Sequence, residues 1–221
     1  MKEFLFIIIL ALLTSNLYSQ SADEANTNLA NKRKTGYYNT TQISMLMGNR
    51  SMFEHNFYRS YEVTKLHVIP SVTMVHGWMF NEKVAAGVGT GFEIFDHNLF
   101  PVFLEMRRTV RDHNVSPFFA VKLGYSIGNL KKKHYDELFV NFQPYLINNA
   151  YLRHYGGLIF HPEMGVKIPL SVNSDLLFTV AYRYQKTKSE VSQDFAHRPK
   201  WTYEASYNRL SLGAAIMFRS L

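Results

Sequence analysis

From Thr35 onward the chain alternates: large apolar side chains take every second position, and small or polar ones fill the places between. A period of two predicts β-strands with one greasy face. Eight segments carry it: Thr35 to Gly48, Leu66 to Met79, Val84 to Phe95, Phe100 to Thr109, Pro117 to Ile127, Tyr155 to Ile168, Asp175 to Lys186 and Asn208 to Phe218. Each reaches the ~9 to 11 residues that a tilted strand needs to cross hydrocarbon. Between them, Asn81 to Lys83, Val110 to Ser116 and Pro169 to Ser174 are compact and rich in turn-forming residues. Asn49 to Lys65, Leu130 to His154 and Lys188 to Tyr207 are long loops, and only Asp96 to Leu99 is short on the long side. Short turns at one end, long loops at the other and an even strand count predict an all-β fold. It is an eight-stranded antiparallel up-and-down transmembrane β-barrel with a polar, plugged lumen and both termini at the periplasmic, short-turn end.

The two faces differ in kind. One carries Ile43, Met45, Val72, Met74, Leu104, Met106, Leu158, Met164, Leu210 and Leu212; the other carries Gln42, Ser44, Ser71, Thr73, Gly87, Gly89, Gly91, Gly124, Gly165 and the ionic residues. An Arg or Lys turned to lipid at midplane costs roughly 2 to 4 kcal/mol, so the apolar set is assigned to lipid and the polar set to the lumen. The interior of so small a barrel is just wide enough for side chains. A structural lumen network is expected in which Glu93, Glu105 and Glu163 pair with Arg107, Lys122, Lys167 and Arg183, because isolated buried charges are costly. The glycines are expected to make room for these long side chains. Tyr37, Trp78, Phe119 and Phe218 fall at the turn ends, and Phe92, Tyr125, Tyr182 and Tyr184 near the long-loop ends, as two aromatic girdles. A soluble barrel of lipocalin type shares the alternation with its apolar face inward, but the Gly- and Ala-rich set would make it a poor water-facing surface.

The first twenty residues add a location. MKEFLFIIILALLTSNLYSQ has Lys2, an apolar run from Phe4 to Leu13, and small or polar residues leading to Ser19 and Gln20. The run is far short of the ~20 residues of a spanning helix, and the pattern is that of a secretory signal peptide over residues 1–20. Residues 21–34 are polar and aperiodic and are expected as a short periplasmic tail, with the barrel over 35–221. The mean hydropathy of −0.16 does not argue against a membrane surface, since each strand offers lipid only alternate residues. There is no cysteine, which excludes disulfides and thiolate metal sites. The net charge of +7 suits an anionic surface. Nucleic acid is not expected as a partner, because the basic residues are scattered over loops without an aromatic–basic platform.

Catalytic motifs are sparse. Gly87-Val88-Gly89-Thr90-Gly91 lacks the G-x-G-x-x-G spacing and no helix follows, so no cofactor is assigned. Nine histidines form neither H-E-x-x-H nor H-x-H, and no metal is assigned. His161 and Glu163 share the lumen face and read as a satisfied pair rather than a dyad. His76, near Trp78, has no Ser or acid partner in sequence, so no catalytic residue is assigned. The most distinctive outer feature is Lys131-Lys132-Lys133, a candidate extracellular contact for an anion or partner.

The succession GVGTGFEIF, FPVFLEMRRT, SPFFAVKLGYSIG, GGLIFHPEMGVKI, LLFTVAYRYQ and RLSLGAAIMF resembles the small porin-like outer-membrane β-barrel domain proteins of Gram-negative bacteria. These share their architecture with the membrane domain of OmpA and with OmpX. The likeness runs from about Gly36 to Phe218. It implies a Gram-negative outer membrane, contact with its lipid and lipopolysaccharide, insertion by the barrel-assembly machinery, and a monomer. Fold does not imply function. The expected role is non-catalytic: structural, with extracellular loops presented for surface interaction. Two alternatives stand beside it. A lipid A or phospholipid-modifying barrel enzyme needs a nucleophile and base close together on the wall. Lateral passage of a small apolar molecule needs an interrupted wall, which Pro70 in the second strand would mark.

Overall fold

The computed structural model describes residues 35–54, 59–94, 98–110, 115–128, 133–139, 146–193 and 201–219. The expected signal peptide and tail lie outside these residues. The described strands are β1 (Gly36–Glu54), β2 (Arg59–Met79), β3 (Val84–Ile94), β4 (Asn98–Thr109), β5 (Ser116–Ile127), β6 (Lys133–Phe139), β7 (Leu146–Pro169), β8 (Ser174–Gln193) and β9 (Trp201–Arg219). They form one antiparallel sheet ordered β5-β4-β3-β2-β1-β9-β8-β7-β6, and β5 also pairs with β7. That last pairing closes a ring of eight strands, leaving β6 outside it as an extra strand on β7. The eight-stranded up-and-down barrel is therefore the observed architecture. Closure has a physical cause: hydrocarbon offers no partner to an unpaired N–H or C=O, so a spanning sheet cannot keep an edge.

Exposure inverts the rule for soluble proteins. Leu104, Met106 and Leu158 are each 65% exposed on the outside, whereas Glu93 and Asp175 are fully buried within. A lipocalin-type barrel would show the reverse, and that alternative is excluded. At one end, Gly36 pairs with Met79 and Tyr38 with Arg219, so the first and last described residues lie beside the short turns. The β2–β3 turn is held by Asn81, whose Oδ1 accepts from the N–H groups of Lys83 and Val84 at 2.8 Å.

Strand lengths fall into two classes. β3, β4 and β5 have 11 or 12 residues, enough to cross the membrane. The other wall strands have 19 to 24. They overrun on the side away from the turns: β1 pairs with β2 out to Glu54 and Arg59, β8 with β9 to Val191 and Trp201, and β7 carries β6 on Leu146–Leu152. The result is a six-stranded sheet, β2-β1-β9-β8-β7-β6, standing above the wall. Much of 49–65, 130–154 and 188–207, expected as loop, is thus strand. The alternation of apolar residues marks lipid contact and stops where lipid stops. Beyond it, runs such as SYEVTK (60–65) and TKSEVSQ (187–193) keep the β-branched and aromatic content of strands without a run of large apolar residues at alternate places, and in TYEASYN (202–208) the alternate residues Tyr203, Ala205 and Tyr207 are buried rather than exposed.

Candidate functional site

Chemistry is concentrated in the lumen, in three groups that follow one another outward from the turn end. Nearest the turns, Arg219 donates to Asp175 at 2.5 Å. Midway, Arg107 meets Glu105 at 2.9 Å, and Lys122 Nζ lies 2.9 Å from Glu163 and 3.7 Å from Glu105. Gln42 ties this group together: its Oε1 accepts from Lys122 at 2.6 Å, and its Nε2 donates to Glu163 and to Thr179, each at 3.0 Å. His161 Nε2 stands 3.6 Å from Glu163. Farther out, Arg183 forks onto Glu93 at 2.5 and 2.9 Å, and Ser71 Oγ donates to the same carboxylate at 3.0 Å. All these side chains are buried. Paired ions with further hydrogen bonds are the arrangement a buried charge requires.

All seven expected ionic residues are buried in the lumen. Glu105, Arg107, Lys122 and Glu163 come together, Glu93 and Arg183 make a separate pair, and Lys167 is buried near Arg107 and Arg219 at the turn end. Between the ionic groups lie Tyr38, Phe103 and Phe118, buried rings that the alternation of large residues had not placed inside. They account for the glycines. A Cβ on Gly77 would lie 2.6 Å from the Tyr38 ring, one on Gly165 2.8 Å from Phe118, and one on Gly89 2.3 Å from the Phe103 ring. The glycines make room for rings rather than directly for charged side chains. The cations lie on those rings, Arg107 at 5.1 Å from the Phe118 centroid and Lys122 at 5.8 Å from that of Phe103. Asp175, Arg219 and Arg209, which stacks at 4.4 Å on Tyr207, also went unread. Arg209 lies within the Asn208 to Phe218 segment with the parity opposite Leu210 and Leu212, so the alternation itself marks it as inward.

The voids found among the described lumen residues are small. One void of ≈ 10 Å³ lies among Gln42, Ser71, Lys122, His161 and Arg183, and another of ≈ 10 Å³ beside Arg107, Lys167 and Arg219. Each has room for about one water molecule.

Outside, Tyr37, Trp78, Phe119 and Phe218 at the turn end and Phe92, Tyr125 and Tyr182 at the other are exposed, with Tyr184 partly so. His76 is exposed on the outer face, bonded to the Tyr37 hydroxyl and 3.2 Å from the Asn39 amide. Pro70 pairs with Met45 of β1, while β3 joins β2 only from Ser71, so the missing N–H breaks no β2–β3 ladder. Lys131 and Lys132 lie outside the described residues. Lys133 opens β6, and its side chain is likewise outside what is described. Among the described residues, no group of three or more His, Asp or Glu could hold a metal, and no helix is long and apolar enough to cross a membrane.

No family model matches the chain, and no curated protein does. Solved structures do. The outer membrane protein OprG from Pseudomonas aeruginosa superposes with a TM-score of 0.55 at 11% identity, over 85% of this chain and 98% of that one. Neisserial surface protein A, NspA, superposes with a TM-score of 0.47 at 10% identity, over 85% and 100%. At such identity the OprG match speaks to fold alone, and the fold agrees. A closed eight-stranded cylinder, apolar outside and ionic within, is a membrane-spanning barrel of the outer-membrane type.

Proposed function

We propose that the protein is a non-catalytic barrel of the Gram-negative outer membrane, structural in its wall and presenting its outer hairpins for surface interaction. The observation that carries this reading is the division of strand lengths. Three strands end at the outer edge of the wall, and five continue as the raised sheet. The excess of roughly 7 to 12 residues corresponds to about 20 to 40 Å of strand at ~3.3 Å per residue. A filled lumen leaves that outer sheet as the part able to meet other molecules. Its margins, β2 beyond the end of β3 and β6 beyond β7, each keep one edge unpaired among the described residues. Unpaired edges accept strands from a partner. Within the membrane the closed ring offers no such edge, which suits a monomer inserted by the barrel-assembly machinery.

The test is to replace residues 133–152 with a short turn. Cells bearing the variant should lose surface adhesion or cell–cell aggregation, while the purified chain keeps its mobility difference between boiled and unboiled samples on a denaturing gel. Unchanged surface behaviour would remove the presenting role. Mass spectrometry of lipid A and phospholipids from a deletion strain checks the absence of catalysis, since an altered acyl pattern would establish an enzyme instead.

A further inference from the structure

We infer that the turn-end rim of β3, β4 and β5 holds one anionic phospholipid of the inner leaflet, its phosphate on Arg108 and Lys83 and an acyl chain in the apolar groove beside them. The inference rests on the membrane-barrel reading.

Arg108 departs from the pattern of the wall. It shares the parity of Leu104 and Met106, so it points to lipid and is exposed, whereas the adjacent Arg107 turns inward to Glu105. Its cross-strand neighbours are Val84 and Phe119, which sets it level with the inner aromatic girdle. Lys83 is exposed in the β2–β3 turn. The Thr109 N–H donates to the Lys83 carbonyl at 2.7 Å and fixes that turn to the end of β4, one residue from Arg108. Neither cationic side chain has a hydrogen-bond or ion-pair partner among the described residues. Two adjacent cations at a membrane interface, unpaired among the described residues, call for an anion.

The shape of the surface says which kind. A hollow of ≈ 460 Å³ is lined by Asn81, Glu82, Lys83, Val84 and Arg108. A second, of ≈ 380 Å³, is lined by Val84, Met106, Arg108, Phe119 and Val121, among others. Val84 and Arg108 line both, so the polar and apolar hollows lie side by side. The first offers a guanidinium fork and an ammonium, with the Asn81 amide hydrogens beside them because its Oδ1 is already taken by the turn. Two cations against the Glu82 carboxylate leave a surplus of one positive charge, matched to a single phosphodiester. The second hollow leads past Met106 and Val121 to Leu104 and Leu123, an exterior row suited to an acyl chain. Inorganic phosphate would use the first hollow and leave the second unexplained. A phosphatidylglycerol uses both.

The probe is the full barrel folded in detergent micelles carrying equal phosphatidylglycerol and phosphatidylethanolamine, with retained lipid read by native mass spectrometry. Wild type should keep one phosphatidylglycerol in preference. Each cation near an anionic headgroup is worth about fivefold, so Arg108→Gln and Lys83→Gln should each lower the preference by about that factor, and the double variant should bring it near parity. Arg108→Lys should keep most of it, and Lys188→Gln, an exposed cation far from the rim, should keep all of it. Millimolar inorganic phosphate should not displace the lipid. A folded wild type without preference, a preference for phosphatidylethanolamine, displacement by phosphate, or a preference surviving the double variant would each overturn the inference. A wild type that stays dissolved without detergent and runs identically boiled and unboiled would instead overturn the membrane reading beneath it.

Discussion

Arg183 follows Thr179 and Ala181 on the inner face of β8 and is tolerated there because Glu93, from the far wall, meets it with both oxygens. Removing one partner strands the other in a dry interior. Glu93→Ala should therefore destabilise the barrel by about 3 to 5 kcal/mol, read from urea unfolding in phospholipid vesicles. The paired change Glu93→Leu with Arg183→Met should recover most of that loss, because two apolar residues of similar volume avoid the desolvation of both ions. If the double variant falls as far as the single, the pair matters through its shape rather than its charge. The glycines make a parallel case. Gly89 lies under Phe103 so closely that an added Cβ must displace the ring, and Gly89→Ala should cost roughly 1 to 3 kcal/mol in the same assay. Phe103→Leu combined with Gly89→Ala should lessen the penalty, since the smaller side chain vacates the space the methyl group needs.

The strands of the wall and those of the raised sheet obey different rules, and this decides what each will tolerate. On the raised sheet Lys186 bonds Glu204 at 2.6 Å, with the lysine 46% exposed. The bond and the carboxylate charge raise the lysine's pKa above its ordinary value. A raised folded-state pKa stabilises below the unfolded value and loses its effect as pH climbs through the folded one, so any contribution is complete at neutral pH and fades only in alkali. Water screens it, however. Lys186→Met should shift stability by less than about 0.5 kcal/mol at pH 7, measured by urea midpoint. This division also explains what could be read from the sequence. Within the membrane, lipid forces an apolar residue to every second place, so wall strands, faces and lumen charges such as Glu105, Lys122 and Arg183 were legible from parity. Above it, Tyr61 to Lys65 and Ser189 to Gln193 are placed by backbone ladders, which the alternation of large apolar residues does not announce. The lumen rings are a related case. Phe118 shares the parity of Ala120 and Lys122, and Phe103 that of Glu105 and Arg107, so position alone marks them as inward, but their apolar type is that of the lipid-facing set.

Taken whole, the molecule is a cylinder whose contents carry a sign. Among the described residues, six buried cations, Arg107, Lys122, Lys167, Arg183, Arg209 and Arg219, stand against four buried carboxylates, Glu93, Glu105, Glu163 and Asp175, a surplus of two positive charges. With voids of only ≈ 10 Å³ between them, the wild-type chain should carry no steady ionic current in a planar bilayer. Phe103 and Phe118 fill much of the interior, and truncating both to alanine should loosen it enough for small currents. Those currents should then favour anions, because low-dielectric walls focus the field of the surplus charges along the opened path. The check is the reversal potential under a potassium chloride gradient, with chloride predicted to be the more permeant ion. Adding Arg107→Gln and Lys122→Gln would turn the surplus into balance and should move the reversal potential toward zero, unless the barrel closes again around the smaller side chains. A cation-selective current in the alanine variant would mean that the arginines do not line the path, and with that the inward assignment of the whole polar face would fail.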